Sequence, residues 1–378
     1  MDRRLIRTIV LAFLLSRGIL QLLMVIGSQT AYLRKVHERV WETRIVLQAD
    51  RFVPELTRVA MVGDAWWYRS IARDGYGARA EAGGTPNWAF FPLYPLLVRA
   101  LSVTGEFALD GVIVSNLAFA CALYLLAALG LRAGLNVEDV ERAVVYLAFF
   151  PTSYFFSLPM TESLFLALSV GSVLAGMSGR WWLAGVLGGL SAATRLAGVL
   201  LIVPLAILFL QRDERPRWKA LWLAGVPAGV GVFMGYLSAV AGDPFAFASV
   251  QQHWNRGATF FAKPLLQYLV QPQTVSEPWN LLALNFAIAV LLLAVGCAFL
   301  ISKQWALGAY TLLSVLLPLS SGSLQSIARY GLVVFPLFFW LAVAGRRAAV
   351  DRVVMACSVA FWGWLVAMLT LGVDYSIN

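Results

Sequence analysis

Four ionisable side chains stand in or beside apolar runs, where a charge is costly unless it is paired or used. Asp64 precedes an aromatic cluster, Glu162 begins an apolar run, and Arg195 and Arg329 interrupt two others. A carboxylate can accept a hydroxyl proton, and aromatic faces beside it can stack on a sugar ring. A guanidinium binds phosphate through paired hydrogen bonds. The four residues therefore indicate acid–base chemistry next to a phosphate group.

Each of these residues also has a structural interpretation. Asp64 can cap a helix N-terminus within an interfacial aromatic belt, and Glu162 can cap the helix that starts near Thr161. Arg195 and Arg329 can extend towards lipid headgroups. The residues alone leave both interpretations open.

Aromatic and polar residues near these positions extend the candidate site. The segment GDAWWYRSIARDGYG (63–77) follows Asp64 with three aromatic residues, and the prolines of NWAFFPLYPLLVRALS (87–102) are expected to turn the chain and shape a cavity beside Asp64. The segments VQQHWNRGATFFAKP (250–264) and SGSLQSIARYGLVVFP (321–336) add polar side chains. The candidate sugar- and acceptor-binding residues are Trp66, Trp67, Tyr68, Glu162, Gln251, Trp254, Arg256 and Tyr330.

The composition indicates that membrane helices position these residues. The chain has 378 residues, of which 60% are hydrophobic and 13% charged, and its mean hydropathy is +0.75. Soluble domains carry about 25% charged residues. The net charge of +9 is interpreted as a bias of membrane loops, so no nucleic-acid partner is expected.

Apolar segments predict an all-α, polytopic bundle of about eleven transmembrane helices. Two of the segments are short and could be broken helices. The predicted spans are 5–27, 109–131, 143–157, 161–178, 181–194, 196–210, 219–241, 281–301, 305–320, 327–344 and 353–372. Lys and Arg are concentrated in one set of alternate short loops, which places the N-terminus in the cytoplasm and the candidate site on the opposite face.

The whole chain, 1–378, is predicted to be one integral membrane domain. Residues 28–108 are expected to form a long extracytoplasmic first loop that carries the candidate acid Asp64, and residues 242–280 a second extracytoplasmic loop. Leu33, Val36, Val40 and Leu47 recur at helical spacing, which predicts an interfacial helix in the first loop. The first apolar segment has no small-residue cleavage site and is interpreted as a retained helix.

Metal and cofactor motifs are not apparent in the sequence. The three cysteines lie in apolar runs without a Cys-x-x-Cys pair, and the two histidines are far apart. No glycine-rich phosphate loop with Lys and Ser/Thr occurs, so a cytosolic nucleotide is not expected to drive the reaction. We expect no metal and no cofactor, with an activated lipid as the energy source.

Several motifs, taken in order, resemble the PIG-V/Gpi18-like mannosyltransferases, which are polytopic glycosyltransferases of the GT-C class. The motifs are GDAWWYRSIARDGYG, FFPLYP, PMTESLF, ATRLAG, Gln251-x-x-Trp254-x-Arg256 and ARYGLVVFP. The similarity runs from about residue 60 to residue 340. One departure is Gly63, which stands where the resemblance leads us to expect an aromatic residue.

The resemblance implies inverting transfer of mannose from polyprenyl (dolichyl) phosphomannose to a lipid or glycan acceptor. It implies that Asp64 is the catalytic base, that Arg329 and then Arg195 bind the donor phosphate, and that Glu162 orients the acceptor or a basic residue. The compact length favours a bacterial plasma membrane. Two alternatives remain, a lipid-linked sugar transporter or flippase and a non-catalytic subunit of an envelope-glycan complex.

Overall fold

The computed structural model describes residues 2–36, 49–78, 84–212, 216–254, 256–272 and 281–371. Over these ranges the protein is helical and no strand occurs. The α-helices are α1 (Arg3–Val36), α2 (Ala49–Ala60), α3 (Ala65–Asp74), α4 (Leu93–Ala100), α5 (Phe107–Arg132), α6 (Val137–Ala148), α7 (Glu162–Met177), α8 (Trp181–Thr194), α9 (Ile202–Gln211), α10 (Gly225–Ala241), α11 (Ala246–Ser249), α12 (Lys263–Val270), α13 (Leu282–Ile301), α14 (Trp305–Leu319), α15 (Ile327–Gly331), α16 (Pro336–Ala344) and α17 (Ala348–Thr370). The 3₁₀ segments are Asn87–Ala89, Ser153–Ser157, Leu196–Leu201, Arg217–Ala224 and Val250–Trp254.

Apolar helices of membrane-spanning length support the membrane class. Among the described residues, 5 helical segments are long and apolar enough to cross a bilayer. Their outward surfaces carry large apolar side chains, such as Leu117 and Val232, which are 66% and 76% exposed and suit contact with lipid. The five segments are Arg3–Thr30, Phe107–Arg132, Arg217–Ala241, Leu282–Ile301 and Ala348–Thr370.

The remaining predicted spans contain shorter helices, and some of these are broken. The predicted span 181–194 coincides with α8, whereas 143–157 is split between α6 and the 3₁₀ segment Ser153–Ser157. The break precedes Pro151, which lacks an amide hydrogen and restricts the residue before it. At the N-terminus α1 continues past residue 27 and includes Leu33 and Val36, while Val40 and Leu47 of the predicted interfacial helix lie outside the described residues.

Arg17 satisfies backbone groups that the broken α6 leaves open. Its Nη2 donates to the Ala148 carbonyl at 2.8 Å and its Nη1 donates to the Ser153 carbonyl at 2.7 Å. The side chain is 2% exposed, and its guanidinium carbon lies 4.8 Å from the ring centroid of Phe119. The last carbonyls of a helix need partners from outside the helix. Arg17 therefore has a structural role and joins α1 to the break between α6 and α7.

Glycine contacts bring α8 and α10 unusually close together. A Cβ atom placed on Gly229 would lie 1.9 Å from the carbonyl oxygen of Gly189, and one placed on Gly189 would lie 2.4 Å from the carbonyl oxygen of Gly225. Such contacts require hydrogen in place of a side chain, as is typical of helix pairs in membranes. This contact fixes the end of α8, from which the chain continues to Arg195.

A charged cluster at the start of α6 connects it to the end of α16. Asp139 has a fully buried side chain and accepts hydrogen bonds from Arg346 at 2.6 Å and Arg142 at 2.5 Å. The hydrogen bond from Arg346, followed by that from Arg142, holds the pKa of Asp139 below its ordinary value, although burial opposes this shift. The cluster links two helices that are far apart in sequence.

Candidate functional site

Asp64 lies at the junction between α2 and α3, where the backbone makes a sharp turn. The preceding Gly63 has a φ of 49°, a left-handed conformation that costs other residues about 1–2 kcal/mol. An aromatic residue would be strained here, which gives a physical reason for the departure noted in the motif. Asp64 occupies the N-cap position of α3, but its side chain makes no capping hydrogen bond.

The Asp64 carboxylate instead faces Arg329, which is 265 residues away in sequence. Nη1 of Arg329 donates to Oδ2 of Asp64 at 2.5 Å. The Arg329 side chain is 5% exposed and that of Asp64 is 26% exposed. The pair therefore lies at the edge of a buried region, with one carboxylate oxygen engaged by the guanidinium.

Glu162 continues this pairing deeper into the protein. Its side chain is fully buried, and Oε1 accepts hydrogen bonds from Nε of Arg329 at 2.5 Å and Nη1 of Arg195 at 2.7 Å. The charges alternate in the order Asp64, Arg329, Glu162 and Arg195, and we call this set the ion-pair chain. Helix capping is thus not the only role of Glu162, because its carboxylate holds two arginines together.

Polar residues from other elements of the fold hold the short helix α15, which carries Arg329. The backbone amide of Ala328 donates to Oδ1 of Asn285 at 2.8 Å, and the Ala328 carbonyl accepts from Oγ1 of Thr152 at 3.1 Å. Ser326 precedes the helix with a φ of 64°. The Arg329 guanidinium carbon lies 4.9 Å from the ring centroid of Phe155. The arginine is therefore held from α13, from the Ser153–Ser157 segment and from the loop before that segment.

Arg195 is positioned where α8 ends and the chain becomes extended. Its φ and ψ are −154° and 144°, so its backbone is extended and the helix ends before it. Its guanidinium carbon lies 5.3 Å from the ring centroid of Tyr330 and 5.8 Å from that of Phe165. Both distances fall in the range of cation–π contacts.

A cavity of about 640 Å³ opens beside the ion-pair chain. Its size is that of a small-molecule site. Phe90 and Phe247 line one part of it, and Leu196 and Leu317, which are 36% and 40% exposed, line another. The predicted site residues that line it are Asp64, Tyr68, Arg195, Gln251, Trp254, Arg256, Arg329 and Tyr330.

The predicted aromatic residues separate into cavity-lining, supporting and outward-facing positions. Trp67 stacks on Phe90 at 5.2 Å between centroids and meets Trp254 edge-on at 6.0 Å, so it supports the wall that these two residues form. Trp66 is 45% exposed and packs against Arg69, at 5.4 Å from its guanidinium carbon. Trp66 is thus not part of the cavity lining.

Tyr68 contributes a buried hydroxyl at the cavity wall. Its hydroxyl donates to Oγ1 of Thr161 at 3.5 Å, and the side chain is 4% exposed. Burial, with the nearby Asp64 charge, raises the pKa of the Tyr68 phenol well above its ordinary value. The phenol therefore remains neutral at physiological pH and can act as a hydrogen-bond donor.

Several residues that form the site were not predicted. Asn285, Thr152 and Ser326 hold α15 in place, and Tyr310 and Gln325 line the cavity. Asn285 had a detectable signal, because it is a polar residue within an apolar helix. Tyr310 had no such signal, since tyrosine is common at membrane interfaces.

The described part of the chain contains no group of three or more His, Cys, Asp or Glu residues close enough to hold a metal ion. Metal-independent activity remains a prediction from the sequence. Comparisons with protein-family models and with curated proteins gave no match, so the family resemblance rests on the ordered motifs alone.

Proposed function

We propose that this protein is an inverting glycosyltransferase of the GT-C type that transfers a sugar, mannose by the resemblance, from a polyprenyl-phosphate donor to a hydroxyl group of a lipid or glycan acceptor. The observation that carries the proposal is that Asp64, Arg195 and Arg329 line one cavity and that the buried Glu162 joins the two arginines behind it. These four residues were selected from sequence as separate candidates, and they form one connected ion-pair chain.

In the proposed reaction, Asp64 accepts the proton of the acceptor hydroxyl while that oxygen attacks the anomeric carbon. The bond between the anomeric carbon and the phosphate oxygen breaks, and its electron pair leaves with the lipid phosphate. Attack opposite to the departing group inverts the configuration. Arg329 orients the Asp64 carboxylate through the contact at 2.5 Å, while Trp254 and Tyr68 provide an aromatic wall for the sugar.

The proposed membrane arrangement supplies the donor from the bilayer. We place about eleven helical segments in the membrane, with the N-terminus in the cytoplasm and loops 28–108 and 242–280 on the opposite face. Leu196 and Leu317, at the exposed part of the cavity wall, then offer an apolar route for the polyprenyl chain. A bacterial plasma membrane is the proposed location.

The test incubates the purified full-length protein with labelled polyprenyl phosphomannose and membrane lipids, and identifies the labelled product. Asp64→Asn is expected to lower turnover by about 10²- to 10⁴-fold, the range typical of a general base. The matched control is Asp74→Asn, which removes a carboxylate that pairs with Arg73 at the other end of α3 and should leave turnover unchanged. Full turnover by Asp64→Asn refutes the base role, and absence of transfer by the wild type argues for a non-catalytic protein.

The orientation is tested separately by cysteine labelling. Trp66 is 45% exposed and adjacent to the catalytic segment, so Trp66→Cys in a background without the three native cysteines reports the location of the site. A membrane-impermeant thiol reagent added outside intact cells should label this cysteine. Labelling only after the cytoplasm is opened would contradict the proposed topology.

A further inference from the structure

We propose that Arg256, rather than Arg329, makes the principal contact with the phosphate group of the lipid-linked donor. This inference rests on the proposed function for the class of ligand, but it assigns a role that the sequence had given to other residues. The arginines around the cavity differ in how far carboxylates already neutralise their charge.

Arg329 has little capacity for another anion. Its Nε donates to Glu162 and its Nη1 to Asp64, both at 2.5 Å, and its Nη2 lies 3.4 Å from the Met160 sulfur. The side chain is only 5% exposed. A phosphate that bound here would have to displace one of the two carboxylates. Arg329 is therefore a positioning residue that holds Asp64 and Glu162.

Arg195 is partly committed in the same way. Its Nη1 donates to Glu162 at 2.7 Å, and its side chain is 16% exposed. Among the described residues, Asp64 and three arginines line this end of the cavity and Glu162 is buried behind them, which leaves one positive charge in excess. All three arginines and Tyr330 line the same cavity, so the arginines belong to one local charge system.

Arg256 carries this excess charge. Within the described ranges its only side-chain hydrogen bond goes from Nη1 to the neutral Oε1 of Gln251, at 3.5 Å, and no carboxylate pairs with it. Arg256 and Gln251 both line the cavity. A guanidinium with unoccupied donors at a partly apolar cavity is suited to a phosphate oxygen.

The charge of the ligand matches this arrangement. A glycosyl phosphodiester carries one negative charge, equal and opposite to the excess charge at the cavity. When the sugar is transferred, the departing phosphate monoester carries about 1.5 to 2 negative charges. Arg195, which lines the same cavity, supplies a second guanidinium as this charge develops. Arg256 therefore binds the donor and stabilises the leaving group.

Binding of farnesyl phosphate and its uncharged alcohol, farnesol, tests the assignment without requiring turnover. The purified full-length protein is titrated in detergent micelles, and quenching of tryptophan fluorescence is measured, since Trp254 lines the cavity. Arg256→Gln should weaken farnesyl phosphate binding by about tenfold or more and leave farnesol binding unchanged. Arg256→Lys, which keeps the charge but loses the paired N–H donors of the guanidinium, should weaken farnesyl phosphate binding less. Lys263→Gln removes an exposed charge outside the cavity lining and should bind as the wild type does.

Two results would overturn the inference. One is unchanged farnesyl phosphate binding in Arg256→Gln, and the other is an equal loss of farnesyl phosphate and farnesol, which would make Arg256 a residue that shapes the cavity. Inorganic phosphate should compete weakly, and competition as strong as that of farnesyl phosphate would contradict a lipid-linked ligand. If the wild type binds farnesyl phosphate through Arg256 but transfers no sugar, the proposed function fails while the phosphate site stands.

Discussion

Replacing Arg329 with methionine is predicted to destabilise the protein by about 3 kcal/mol. The new side chain retains an unbranched stem but lacks the guanidinium, which lies between Asp64 and Glu162 and over the ring of Phe155. Breaking a buried ion pair costs about 3–5 kcal/mol because a charge is left without its partner. The lower value applies here, because Glu162 keeps its hydrogen bond from Arg195 and the Asp64 side chain is 26% exposed.

A double-mutant cycle separates this electrostatic effect from lost packing. The double variant Glu162→Gln/Arg329→Met removes both charges of the buried pair, so neither charge is left without its partner. The double variant should therefore lose less stability than the sum of the two single variants, by about 0.5–3 kcal/mol. If methionine destabilised the protein only by packing poorly, the two changes would instead be additive.

The assay is unfolding in mixed micelles with an increasing fraction of denaturing detergent, followed by tryptophan fluorescence. The matched control is Arg99→Met, in which an exposed arginine of α4 is replaced; its stability should stay within about 0.5 kcal/mol of the wild type. A wild-type unfolding midpoint for Arg329→Met, or strict additivity in the cycle, would refute the reasoning about the ion-pair chain.

Two further predictions concern the turn at Gly63 and the cluster at Asp139. Gly63→Ala should destabilise the protein by about 1–2 kcal/mol and lower turnover, because it displaces Asp64. Gly63→Asn should have a smaller effect on both, since asparagine tolerates a positive φ. Equal losses in the two variants would count against backbone strain. Because the folded-state pKa of Asp139 is depressed, its stabilisation is present above its unfolded value of about 3.9 and is lost as the pH falls through the folded value. Asp139→Asn should therefore be about 1.5–3 kcal/mol less stable than the wild type at neutral pH, and the gap in unfolding midpoint should shrink below about pH 4; a constant gap would exclude this linkage.

Local sequence signals predicted the positions of the helices more reliably than whether each helix is continuous. Segment 181–194 was predicted as a span and forms α8 over Trp181–Thr194, because its apolar run has clear polar limits. Segment 327–344 was also predicted as one span but is divided into α15 and α16. Its interruption directly precedes Pro336, the first residue of α16, which lacks an amide hydrogen and restricts the residue before it. The α15 part is held by Asn285 and Thr152, which bond the backbone of Ala328 from other elements. Hydropathy does not contain such information.

The candidate site was predictable as a set of residues but not as an arrangement. Asp64, Glu162, Arg195 and Arg329 could be selected because a charge in an apolar segment requires a partner or a function. The identity of each partner depends on contacts between distant helices, so the sequence did not show that Glu162 joins both arginines. For the same reason, only the structure shows that Arg329 is paired with carboxylates, whereas the hydrogen bond of Arg256 goes to the neutral Gln251.

The order in which the ion-pair chain is synthesised has a consequence for biogenesis. Glu162 precedes Arg195 by 33 residues and Arg329 by 167 residues. A growing chain thus contains this acid before either cation, and it contains Arg195 long before Arg329 has been made. A polypeptide that ends between the two arginines contains Glu162 and Arg195 but lacks Arg329. Its acid has only one of two partners, and such a product should be a substrate for membrane quality control. The buried acid therefore has both of its arginine partners only after the segment that carries Arg329, near the end of the chain, has been made.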